Sequence, residues 1–365
     1  MDQVTEILLD GNLTRESLEM LLNVRGEAMQ TLFTHAAKIK KQYVGNIVYF
    51  RGLIELSNIC SKNCYYCGIR SGNRKPQRFL VKEDEVMQAV KFAYDHEFGS
   101  MVMQSGELTN RRFVSYVTRL LKKIKETTDN RLGVTLSMGE QPEEVYREWF
   151  DAGAHRYLLR IESSNPDLYY RIHPRNKKHD FDNRMNSLRM LRKIGYNVGT
   201  GVMIGLPFQT AGDLANDLLF FREMDIDMAG MGPYIEHKDT PLYQYKDMLL
   251  PKRERFYLSL RMVALLRILM KDINIAATTA MQTLDKQGRE KALKVGANII
   301  MPNLTPQKYR GDYLLYEDKP CIDEDAIQCQ KCLEARIQMV GDKIGFGQWG
   351  DSRHFATRTG KQISL

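Results

Sequence analysis

At 365 residues the chain is long enough for two or three domains of ~150 residues, or for one α/β barrel, which takes about 250 or more. Apolar residues make up 43% and charged residues 27%, so it can bury a core of its own, which excludes disorder, a collagen-like fibre and a small disulfide scaffold. The formal charge is +8, but the basic runs KKIK (122–125) and NKKH (176–179) are short and dispersed, so no concentrated nucleic-acid surface is expected, only a weak attraction for anionic substrates.

The opening MDQVTEILLD has no basic stretch leading into an apolar one, so no signal peptide is expected. No apolar run approaches the ~20 residues of a membrane span; RMVALLRILM (261–270) is broken by Arg267. A cytoplasmic protein with no membrane partner is the expectation. Residues 1–45 read as a helical segment, since Leu8, Leu9, Leu18, Leu21 and Leu22 recur at helical spacing and Thr14 to Ser17 has the form of a helix start.

From residue 46 short β-rich runs alternate with amphipathic helices. The predicted strands are GLIELS (52–57), SMVMQ (100–104), GVTLS (133–137), RYLLRI (156–161), NVGTGVMI (197–204), DMAGMG (227–232), NIAATT (274–279) and ANIIMP (297–302). Helical periodicity falls between them at 82–96, 110–125, 141–152, 182–193, 211–224, 252–270 and 286–294. This alternation predicts an α/β fold, a (β/α)8 TIM-type barrel over 46–303 with its helices outside. An open doubly wound sheet would want a G-x-G-x-x-G turn after the first strand, where this chain has a cysteine loop. Residues 304–365 lose the alternation and read as a tail packed on the barrel.

The six cysteines form two triads, Cys60, Cys64 and Cys67, then Cys321, Cys329 and Cys332, with none between. Tight triads in a reduced protein point to metal or iron–sulfur ligation. The first follows the first predicted strand, on the barrel face where active sites gather. Three thiolates in C-x3-C-x2-C hold three irons of a [4Fe–4S] cubane and leave the fourth open to chelate a small molecule. A zinc site would want a fourth Cys or His close by, and the next His is His96, on a predicted helix.

That spacing, with the aromatic Tyr66 before the last cysteine, resembles the signature of the radical S-adenosylmethionine (SAM) superfamily. The resemblance implies that the open iron binds SAM and that reduction cleaves it to a 5′-deoxyadenosyl radical. Strand two ends in Gln104-Ser105-Gly106-Glu107, similar to the superfamily's G-G-E, with Ser105 in place of the first glycine; taken alone it would be a plain helix cap. Strand three ends at Thr135 and Ser137. On strand four Arg156, Leu158, Arg160 and Glu162 share one face, and for Arg156 a structural ion pair is the competing reading. Arg184 sits one turn into a helix, placed to reach a carboxylate, and Met203 and Ile204 lie on a glycine-bearing strand similar to the superfamily's adenine contact. By this resemblance Tyr66, Gln104, Ser105, Gly106, Glu107, Ser137, Glu162, Arg184, Met203 and Ile204 would contact SAM.

The stretches IELSNICSKNCYYCGIR, QSGE, TLSMGE, RYLLRIE, MIGLP, GMGPYIEHKDTPL, ATTAM and GANIIMPNLTP, covering about residues 45–335, resemble the HydE family of [FeFe]-hydrogenase maturases. The resemblance implies an enzyme of H-cluster assembly whose radical attacks the sulfur of a small iron–carbonyl–cyanide–cysteine substrate. Its implied partners are other maturases (a substrate-making radical SAM enzyme and a GTPase scaffold) and an electron donor. Thr135, Arg156, Arg160, Thr278, Thr279 and Tyr309 would line the substrate pocket, although strand packing competes for the two threonines and a core role for Tyr309. Cys321, Cys329 and Cys332 resemble an auxiliary site for a [2Fe–2S] or [4Fe–4S] cluster. A methylornithine synthase-like mutase and a non-catalytic iron–sulfur carrier are the alternatives; biotin synthase is disfavoured because no cysteine lies on the later strands.

Overall fold

The computed structural model describes residues 3–323 and 326–360, with the side chains of 326–329 outside that description. The leading residues form three helices, Gln3–Asp10, Arg15–Leu22 and Gly26–Tyr43, the second capped by Thr14, whose side chain accepts from the Ser17 N–H at 3.3 Å. The strands follow in order: β1 Ile47–Ser57, β2 Ser100–Ser105, β3 Gly133–Ser137, β4 Arg156–Leu158, β5 Asn197–Thr200, β6 Met203–Ile204, β7 Met228–Ala229, β8 Gly232–Pro233, β9 Asn274–Ile275, β10 Ile299–Ile300 and β11 Lys343–Ile344.

Parallel pairing runs β10-β1-β2-β3-β4-β5-β7-β9. A parallel bridge between Ala276 and Ile299 joins β9 back to β10 and closes the ring. The fold is the (β/α)8 TIM-type barrel. Strands buried on two faces are near-continuously apolar, as β1 and β2 are, because helices cover the outside and other strands the inside.

Several ladders stop earlier than the sequence pattern does. The run 197–204 divides into β5 and β6, the run 227–232 into β7 and β8, and β4, β9 and β10 keep only two or three paired residues. Alternation continues past the last ladder bond because the strand ends splay apart to form a mouth, so side chains still point inward after the backbone has stopped pairing. The apolar helix Lys252–Leu269 is buried almost all round. Its Arg267, which breaks the apolar run in the sequence, is itself fully buried, donating to the carbonyls of Gly296, Lys271 and Ile273.

The C-terminal segment runs beneath the barrel. β11 extends β1 in parallel, and residues 349–358 cross the N-terminal strand ends. Arg51 and Asn274 both donate to the Gly350 carbonyl, at 3.1 and 2.9 Å. His354 lies between Asp225 and Asp272, and Arg358 pairs with Asp227 at 2.7 Å. Polar side chains from several strands meet this one segment. No helix among the described residues is long and apolar enough to cross a membrane.

Candidate active site

The loop after β1 carries Cys60, Cys64 and Cys67 into a cavity of about 320 Å³ at the C-terminal strand ends. Gly106, after β2, lets the loop approach: a Cβ there would fall 2.3 Å from the Ile59 carbonyl and 2.8 Å from the Cys60 Cβ. The next residue donates its backbone N–H to the Cys60 sulfur at 3.3 Å. Tyr66 turns its hydroxyl to His173 Nε2 at 3.2 Å, in an apolar patch built from Leu168, Ile172, Met203 and Leu206.

Beside the cysteines four charges form a closed cluster. Lys62 Nζ lies 3.1 Å from Glu107 and 3.1 Å from Glu140. Arg184 pairs with Glu140 at 2.6 Å and reaches toward Glu107 at 3.9 Å. The Asp180 side chain accepts from the Asn183 N–H and starts the helix Phe181–Ile194, which sets Arg184 one turn inside. Gly139, at φ +75°, leaves space for the Glu107 carboxylate, whose Oε2 would sit 2.1 Å from a Cβ at that position. Burial pushes the Glu107 carboxyl up while Arg184 and Lys62 draw it back down. For Arg184 burial opposes the charge, but Glu140 and Glu107 overcome it and hold the guanidinium firmly protonated. Two cations and two carboxylates balance, so the cluster is preformed without a net buried charge.

Glu162 has φ +67°, a left-handed backbone that a carboxylate residue adopts at a cost. Its side chain pairs with Arg160 at 2.8 Å, and burial pushes its carboxyl up. The cavity wall also takes Gln104, Ser105, Ser137, Met203, Thr278 and Thr279.

Four expected residues stand elsewhere, and the structure corrects them. Arg156 is fully buried at the foot of β4, donating to Thr135 Oγ1 at 3.0 Å, to the Trp349 carbonyl at 2.8 Å and to Asp351 at 2.7 Å. Thr135 goes with it, and neither lines the cavity. The structural ion pair is thus the reading the geometry favours for Arg156. Tyr309 stacks on Phe79 with centroids 4.7 Å apart and gives its hydroxyl to Glu85 at 2.7 Å, outside the cavity. Ile204 alternates with Met203 and packs into the core instead.

Lys62, Glu140, Glu55, Tyr313, Tyr316 and Lys319 line or border the site without having been singled out. Lys62 lies inside the cysteine loop and could have been noticed as its one basic residue. The tail residues carry no periodic signal. A second groove of about 800 Å³, between the helices Gln3–Asp10 and Gly26–Tyr43, shares no residue with the cavity.

The radical SAM superfamily model matches residues 54–221. The chain is 42% identical over 356 residues to the [FeFe] hydrogenase maturase subunit HydE of Thermotoga maritima, covering 97% of this chain and 99% of that one. The chain belongs to the radical SAM superfamily and, within it, to the HydE family. Among solved structures it is similar in fold to methylornithine synthase (PylB), at TM-score 0.79 and 21% identity over 94% of this chain and 98% of that one. It also matches the maturase HydG of Carboxydothermus hydrogenoformans, at TM-score 0.78 and 20% identity over 94% and 79%.

Radical SAM enzymes carry a [4Fe–4S] cluster and SAM, and the first triad of this HydE-family chain fits such a cluster. Burial pushes all three thiols up, Cys64 to about 12, with repulsion from the neighbouring cysteines adding at Cys64 and Cys67, so three bare thiolates would be costly here and iron would supply the missing positive charge. Among the described residues no group of three His, Cys, Asp or Glu side chains converges on one metal ion. A cubane differs, since each cysteine takes its own iron. When bound and reduced, the cluster supplies the electron that cleaves SAM. Lys62 and Glu140 hold Glu107 and Arg184 in fixed positions at the cavity wall, and Tyr66 packs there against an apolar patch.

Proposed function

We propose that this radical SAM enzyme acts in [FeFe]-hydrogenase H-cluster maturation, directing a 5′-deoxyadenosyl radical at the sulfur of a small iron–carbonyl–cyanide–cysteine substrate. The observation that carries the reading is the joining, in one cavity, of the cysteine triad, the four-charge cluster and a polar wall of Gln104, Arg160, Thr278 and Thr279. An iron–sulfur carrier would have no use for that cluster of charges or for the strained Glu162. Cys60, Cys64 and Cys67 are the cluster ligands. Tyr66, Gln104, Ser105, Gly106, Glu107, Ser137, Glu162, Arg184 and Met203 receive SAM, while Arg160, Thr278 and Thr279 receive substrate.

Cys321, Cys329 and Cys332 are the site of an auxiliary iron–sulfur cluster in this reading. The side chain of Cys329 lies outside the described residues, and no disulfide joins the described cysteines. The other maturases and an electron donor are the partners, and the cytoplasm is the compartment. The test is release of 5′-deoxyadenosine by the anaerobic, reduced protein, followed by its substitution for the HydE component in a reconstituted hydrogenase maturation. Release together with active hydrogenase is expected. A cluster-loaded protein that releases no 5′-deoxyadenosine overturns the reading.

A further inference from the structure

Two buried histidines, His173 and His179, lie between the helices Pro166–Ile172 and Phe181–Ile194 and hold the first cysteine loop from outside. His179 Nε2 accepts the backbone N–H of Asn63, the residue before Cys64, at 2.9 Å. His173 Nε2 meets the hydroxyl of Tyr66, the residue before Cys67, at 3.2 Å. Each imidazole turns its other nitrogen to an oxygen: His173 Nδ1 to the Tyr169 carbonyl at 2.9 Å, and His179 Nδ1 to Asn176 Oδ1 at 2.8 Å. Those oxygens only accept, so in both rings the proton sits on Nδ1. Burial keeps both rings neutral, which leaves Nε2 bare. Tyr66 therefore donates its one hydroxyl proton to His173.

The sulfurs alongside give that donation its consequence. Cys60 takes the Glu107 N–H at 3.3 Å, and Cys67 is hydrogen-bonded by the Ile69 N–H. Both donors belong to the backbone and cannot turn away. The Tyr66 hydroxyl is near enough to the Cys64 sulfur to hydrogen-bond it as well, but its O–H rotates and carries a single proton. Whether Cys64 receives that proton is set by the acceptor on the other side. Tyr169 stacks on His173 with centroids 4.0 Å apart, and the imidazole meets Tyr66 edge to face at 5.3 Å, so the acceptor is held in place. The loop is held too, since the Tyr65 N–H donates to the Ile172 carbonyl at 2.9 Å.

We infer that His173 is a positioning residue for the cluster: by taking the Tyr66 proton it keeps that hydroxyl from donating to the Cys64 sulfur. Hydrogen bonds to the sulfurs are a lever on an iron–sulfur potential, because each one stabilises the reduced, more negative state. Withholding one keeps the potential low, as a cluster that must reduce SAM requires. His173 does not line the cavity and acts only through Tyr66. The inference rests on Cys60, Cys64 and Cys67 as the cluster ligands and is independent of the substrate.

The experiment is an EPR-monitored redox titration of the cluster-loaded enzyme without SAM. H173F keeps a ring against Tyr169 and removes the acceptor. Its potential rises, the reduced-to-oxidised ratio at a fixed poise becoming about tenfold higher, or about 59 mV for a one-electron couple. H173L makes the same test without a ring. H173Q leaves an acceptor where Nε2 stood and restores most of the wild-type potential. Y66F has no proton to redirect, so it stays near the wild-type potential and H173F adds little to it. Loaded H173F and H173L proteins with the wild-type potential, or a Y66F/H173F protein that shifts as far as H173F, overturn the inference. Failure of the ligand assignment is separately visible: a C64A protein that keeps the wild-type EPR signal removes that assignment and the inference with it.

Discussion

Arg156 and Arg160 lie four residues apart on the same face of one segment, and they end in different chemistries. Arg160 reaches the open end of the barrel, where it is about one third exposed and pairs with Glu162 at the cavity wall. Arg156 has no exposure and is consumed at the closed end by Thr135, Trp349 and Asp351. Each end gathers arginines and carboxylates from several strands. What separates them is the covering element: above, strand ends surround a cavity, while below, the C-terminal segment supplies carbonyls and a carboxylate that take up most of the donors. An inward-facing charge in a barrel therefore faces the cavity or is held by other segments of the chain according to what closes its end.

The comparison breaks most visibly at the open end. Replacing Cys64 with Ala is expected to abolish 5′-deoxyadenosine release and the SAM-responsive EPR signal, since the open-iron cluster needs all three thiolates. A surviving signal would place the cluster elsewhere. At the closed end the readout is stability. R156M leaves Asp351 without its main partner and should cost about 3 kcal/mol in urea unfolding. Release per folded, cluster-loaded molecule should hold, and a large drop in turnover without a drop in stability would erase the distinction between the ends.

The closed end should also titrate. Hydrogen bonding to Asp272, and then to Asp225, holds the His354 imidazole above its ordinary value, against burial. Its contribution is thus complete below the unfolded value near pH ~6.5 and is lost as pH rises through the folded one. Burial would push the Asp351 carboxyl up, but Arg156 and His155 hold it far below the usual carboxylate range. That contribution is present above about pH 4 and fades as pH falls through the folded value. Thermal melts of H354Q against wild type should converge above neutral pH; a constant gap across pH 6 to 9 would assign His354 a packing role only.

The smallest effect concerns the tail. Replacing Cys329 and Cys332 together should leave SAM cleavage largely intact, because the open-iron triad stands apart from them in the chain. Loss of cleavage in a folded double variant would make the tail cysteines part of the catalytic apparatus.

Much of this was legible beforehand, for identifiable reasons. Period-2 and period-3.6 patterns are local, so the eight-strand alternation and the helix positions could be read directly, and the C-x3-C-x2-C loop is a contiguous motif. Glu162 could be placed because alternation along its strand assigns a face, and Glu107 because the run Gln104–Glu107 resembles the superfamily's G-G-E. Alternation assigns no depth, however. It says that Arg156 and Arg160 point inward, without saying which of them the tail will cover. Lys62 and Glu140 were invisible as partners because their meeting with Arg184 joins two separate βα loops and a helix.

The amino-acid order alone determined the barrel, its open-iron loop and the inward face of each strand, since each follows from spacing along the backbone. Only the tertiary structure decided that the tail closes the other end over Arg156, that Tyr309 and Ile204 turn away from the cavity, and that Tyr316 and Lys319 border it. Those outcomes depend on packing between segments as many as 299 residues apart, as in the hydrogen bond from Arg51 to the Gly350 carbonyl. Local patterns carry no record of contacts at that separation.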